Sequence, residues 1–175
     1  MKNGEVTVRP GHRQAQDMFL EAGKALGHSI RRQYSTEFPT DGVWLLKDSL
    51  LGCDIPVAAI EVIVTEGKKT RQGSIFVLES ISPAVGIVLL QDEEIRRGMW
   101  RDGATDSAIE REIEHREAHL HRLAEGSKQR IEVWKKANLD YVHDRALRTA
   151  AAARHRAASA TTKKDNNKKD FPCLS

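Results

Sequence analysis

Residues 55–64 read Ile-Pro-Val-Ala-Ala-Ile-Glu-Val-Ile-Val. Side chains of a strand alternate between its two faces, and here both sets are apolar. Such a segment needs cover on both sides, which predicts a central strand over 55–65 in a layered α/β domain. Glu61 breaks the pattern. A carboxylate among β-branched residues is costly to bury unless something cationic or hydrogen-bonding meets it.

The neighbouring segments extend this frame. Ala15, Met18, Phe19, Ala22, Ala25 and Leu26 recur at helical spacing before Gly27, so 14–26 is expected to be a helix. Residues 28–34 and 41–46 are strand candidates, with Pro39 at the entry of the second. Asp48, Ser49 and Gly52 mark a turn over 47–53. Ile75, Leu78 and Glu79 place a helix over 70–81, and Ser82-Pro83 stops it before another buried strand over 84–91. A helix crossing between two buried strands implies that those two run parallel.

Beyond Gly98 the composition turns helical. Ser107 and Glu110 have capping-box spacing. Ile109, Ile113, Leu120 and Leu123 form one apolar stripe, and Ile131, Trp134, Tyr141 and Val142 form another, with Gly126-Ser127 between them. The expected organisation is an α/β core over 1–98, a helical hairpin or coiled-coil extension over 104–158, and a disordered basic tail over 159–175. The stripes of 106–142 offer a surface for a second copy or another helical partner.

The chain has 175 residues, enough for one core and an appendage, and its aromatic content of 5% means that aliphatics must build that core. A net charge of +3 is too small to argue by itself for nucleic acid. The distribution says more, with acids concentrated in 92–117 and bases predominating in the last fifty residues. Cys53 and Cys173 have no metal-site or disulfide-framework spacing. Together with a start that lacks an apolar leader, this predicts a cytoplasmic protein. No apolar run approaches the roughly 20 residues that span a bilayer, so no membrane partner is expected. The Cys173-Leu174-Ser175 ending is one residue short of a prenylation box.

The chemistry concentrates on Asp41 and Glu61. If the strand that follows Asp41 pairs beside 55–65, the two carboxylates approach and repel, and a divalent cation relieves the repulsion. Mg²⁺ needs only one or two protein carboxylates, and it can activate water towards a phosphodiester. Other features have plainer readings. His115 and His119 are four residues apart on a highly charged helix, which suits solvent exposure better than metal binding. Trp134 and Tyr141 suit helix packing better than base stacking.

Pro39-Thr40-Asp41, Ile60-Glu61-Val62-Ile63 and Lys68-Lys69-Thr70-Arg71-Gln72-Gly73-Ser74-Ile75 together resemble the core of the PD-(D/E)xK restriction-endonuclease-like superfamily, over residues 12–91. The resemblance implies a mixed sheet flanked by helices and Mg²⁺-dependent cleavage of DNA. It assigns Asp41 and Glu61 to the metal and allows Glu21, on the first helix, to assist. The position that the family fills with lysine is Ile63 here. Lys68 or Lys69 would then supply the amine, or the domain is catalytically inactive and binds DNA or protein only. Arg71, Ser74, Arg145, Arg148 and Arg154 are the candidates for DNA-backbone contacts. Double-strand cutting would call for a homodimer.

Overall fold

The computed structural model describes residues 10–167 except 38, 51, 65 and 66. The order is α1 (Pro10–Ala25), β1 (Ser29–Arg31), β2 (Gly42–Asp48), β3 (Cys53–Ile63), α2 (Lys68–Ile81), β4 (Val85–Leu90), α3 (Asp92–Arg101), α4 (Asp106–Glu125), β5 (Ile131–Lys135) and α5 (Lys136–Asn167). The five strands form one sheet in the order β1-β2-β3-β4-β5. β1, β2 and β3 pair antiparallel, while β3, β4 and β5 run parallel. The protein is therefore an α/β fold on a mixed open sheet. No helix among the described residues is long and apolar enough to cross a membrane.

β3 lies at the centre, as its two-sided apolar pattern requires. Ala59 and Ile63 face a core completed by Ile75 and Leu78 of α2, Ile95 of α3 and Ile109, Ile113 and Leu120 of α4. Ala58, Ile60 and Val62 face the opposite core, with Ala15, Phe19 and Ala22 of α1 and Leu139 and Ala146 of α5. Pro56 has no N–H to give the ladder, and the β2–β3 register slips beside it: Trp44 pairs Ala58 but Leu45 pairs Pro56. α2 ends at Ser82, which adopts a left-handed conformation (φ 53°) and returns its N–H to Leu78 O at 3.0 Å. That is the stop expected at Ser82-Pro83.

Four expectations need correction. Ile131–Lys135 is a strand, not part of a helical stripe, and it pairs with Gly86–Leu90. Ile131 and Val133 alternate onto one face and Trp134 onto the other. Asp92–Arg101 is a further helix. Its signals were three acids in the first turn and Arg101 in the last, which complement the helix dipole. The stripe of α4 is not a docking surface: Ile109, Ile113 and Leu120 are buried against the sheet. Nor does the capping box form. Thr105 is the N-cap and makes no side-chain cap bond, Ser107 lies inside the helix, and Glu110 pairs with Arg96 of α3. In addition, α5 continues through 159–167, within the stretch expected to be disordered; 168–175 lie outside the described residues.

α1 sits close to the sheet because Gly23 has no side chain. A Cβ there would come within 2.8 Å of Trp44 Cε2. Trp44 stacks on Phe19 at 4.6 Å between ring centroids, and its Nε1 donates to Phe19 O at 2.8 Å. Gly23→Ala should therefore destabilise by about 1–2 kcal/mol net, overpacking outweighing alanine's better helix propensity. Urea unfolding midpoints would measure this, and a stabilised variant would contradict the packing account.

Candidate functional site at the carboxyl edge of the sheet

β1 runs parallel to β3, so β1, β3, β4 and β5 all end at one edge of the sheet, the edge where β2 begins. Parallel strands place ligands in the crevices beyond their carboxyl ends. Arg32, Asp41, Gln91 and Lys136 lie at this edge. The start of α1 crosses it: Gln91 Nε2 donates to Gly11 O at 3.1 Å, and His12 Nε2 lies 3.2 Å from Asp41 Oδ2.

Asp41 immediately precedes β2 and prolongs its ladder. Its N–H donates to Ile60 O at 3.2 Å, and its Oδ2 accepts Val62 N–H at 2.7 Å. The side chain thus takes the place of a strand that has not yet begun. Gln16 Nε2 donates to Oδ1 at 2.6 Å. Asp41 is a half-buried carboxylate gripped by β3 on one side and α1 on the other.

Glu61 lies on the same face of β3 as Ala59 and Ile63, towards α2. Its Oε1 is buried and has no hydrogen-bond partner. Burial pushes its pKa up from 4.5 to about 8, with Asp41's charge as the second cause; hydrogen bonds from Ser74 and the Asp41 main chain act the other way. The sheet therefore brings Asp41 and Glu61 within electrostatic reach of each other.

The other candidates lie elsewhere. Lys68 and Lys69 open α2 and are exposed. Ile63 is 1% exposed and locked in the core. Arg71 is 5% exposed. It therefore belongs to the packed interior, unlike the exposed contact expected of a DNA-backbone residue. Ser74, half-buried, serves Glu61. Glu21 is paired with His143 of α5 at 3.0 Å. Arg145, Arg148 and Arg154 are exposed on α5. His115 is exposed, whereas His119 is half-buried, its pKa lowered first by desolvation and then by Arg71, Arg122 and Lys68.

His12 and Gln16 were missed. They have i, i+4 spacing, but the helix was expected to start at residue 14; it begins at Pro10, a residue type favoured in the first turn, where its missing N–H costs nothing.

No protein-family model matches this chain, and no curated protein or solved structure does either.

The raised Glu61 pKa has a definite consequence for stability. Between pH 4.5 and about 8 the folded chain holds a proton that the unfolded chain has lost. The stabilisation is complete below this window and declines through it, by up to about 1.4 kcal/mol per pH unit. Glu61→Gln should remove the decline, matching the wild type near pH 4 and exceeding it above pH 8. Parallel pH profiles in denaturation series would show that the carboxyl is not the source.

Proposed function

We propose that the protein is a Mg²⁺-dependent DNA endonuclease of the restriction-endonuclease-like type, with Asp41 and Glu61 as its metal ligands. One observation carries this reading: Asp41 stands near enough to Glu61 for its charge to raise the proton affinity of that carboxyl, and Glu61 Oε1 is left without a partner. The strand pairing supports it too, since a mixed sheet flanked by helices is the arrangement the resemblance implies.

The residues present fit such an ion. Mg²⁺ asks for one or two carboxylates and keeps its waters. Asp41 Oδ1, which accepts from Gln16, retains lone-pair capacity, and Glu61 Oε1 is unsatisfied. Among the described residues no three His, Cys, Asp or Glu side chains gather as a cage, so a zinc-type site is not indicated. When bound, Mg²⁺ would supply positive charge to a phosphodiester and acidify a water.

The rest falls to the chain. Gln16 and the Val62 N–H aim Asp41. Glu61 would hold the ion only as a carboxylate, its proton lost to solvent. The imidazole of His12, beside Asp41, can take the proton that an attacking water would lose, in place of the lysine replaced by Ile63.

Purified protein with Mg²⁺ should nick supercoiled plasmid, and EDTA should stop it. Asp41→Asn and Glu61→Gln should each lower the rate by at least about 100-fold, and His12→Asn by about 10–100-fold. The yield of linear against nicked product reports whether two copies act together. Intact plasmid with both Mg²⁺ and Mn²⁺ would defeat the hydrolytic reading.

A second reading is a binding module on the same fold. The observations that favour it are Ile63, buried where the family carries its lysine, and the exposed arginines of α5. It predicts that Asp41→Asn still retains DNA in a gel-shift assay, whereas Arg148→Glu with Arg154→Glu releases it. Retention by the double arginine variant would remove α5 from the account.

A further inference from the structure

A cleft of about 540 Å³ opens beside Asp41, within the roughly 300–1,000 Å³ usual for small-ligand sites. Its lining includes His12, Gln16, Arg32, Gln33, Thr40 and Asp41. Thr40 is 5% exposed, and its Oγ1 has no hydrogen-bond partner. Buried hydroxyls are nearly always satisfied, so an unpaired one on the wall of a cleft needs a reason. Arg32 is paired with Asp17, but both side chains are about half exposed. An exposed pair of this kind contributes little, and a phosphate can compete for the guanidinium.

The lining offers donors in Arg32, Gln33 and the Thr40 hydroxyl together with the carboxylate of Asp41. A cationic ligand would meet Arg32 unfavourably, and a plain apolar one would leave Thr40 unpaired. A phosphodiester chain suits the donors and the carboxylate alike, provided that its cation sits at Asp41. We propose that this cleft is the subsite for the nucleotide adjoining the cleaved phosphodiester of DNA, with Arg32 on its phosphate and the Thr40 hydroxyl on its sugar or base. This subsite rests on the nuclease reading through the shared Asp41.

The test uses a short fluorescent DNA duplex titrated with the full chain, with Ca²⁺ replacing Mg²⁺, and anisotropy as the readout. Arg32→Ala should weaken binding about 10-fold and lower the salt dependence by about one phosphate contact. Thr40→Val should separate stability from binding. Removing an unpaired hydroxyl should raise the thermal midpoint by ~2–4 °C, while the affinity falls several-fold. Wild-type affinity in both variants overturns the subsite, as does a Thr40→Val change confined to stability, or a wild-type chain that does not bind the duplex. Cleavage that requires Asp41 but ignores Arg32 and Thr40 overturns the subsite and leaves the nuclease reading standing. Binding that responds to both variants without any cleavage does the reverse.

Discussion

The structure depends on β3 having no solvent-facing side. β2 and β4 take its two edges, and helices take both its faces. Every side chain in its inner stretch must be apolar or paired. That explains Ala58, Ala59, Ile60, Val62 and Ile63, and it makes Glu61 costly. The protein lowers the cost by keeping Glu61 protonated near neutral pH and by offering it Ser74. The carboxyl is nonetheless incompletely satisfied, because Oε1 finds no donor. Residues retained at such a cost are candidates for function.

Asp41 resolves a different problem at the same place. β2 begins at Gly42, opposite Ile60, too late to pair with Val62, and the Asp41 carboxylate takes that N–H instead. Gln16 and His12 then tie the start of α1 to the same oxygens. One side chain therefore joins α1, the start of β2 and the end of β3. A purely structural role would account for these bonds. It would not account for Glu61, or for the unpaired Thr40 hydroxyl beside it.

The sequence was most legible where local pattern and tertiary environment agreed. The two-sided run of β3, the period of α1 and the Ser82-Pro83 stop all report burial or backbone geometry that neighbouring residues impose. β5 was illegible for the opposite reason. Ile131 and Trp134 fit a helical period as well as a strand, and what selects the strand is a ladder to Gly86–Leu90, some 45 residues away. α3 went unseen because it contributes few apolar residues; Ile95 is its one buried side chain. The apolar stripe of α4 was seen correctly, but its partner was not. Periodicity shows that a face is covered without showing what covers it.

For the site, the sequence by itself determined that Glu61 would be a carboxyl group set among apolar strand residues and that Asp41 stood near a strand entry. Those are properties of residue type and alternation. Only the tertiary structure decided their company. Register set Asp41 against Val62, crossover direction put four strand ends at one edge, and the docking of α1 brought His12 and Gln16 across it. The same packing buried Arg71 and Ile63 and left Glu21 with His143. Strand alternation is local and can be read along the chain. The meeting of side chains from residues 12, 16, 41, 61 and 74 depends on long-range pairing, which no local pattern encodes.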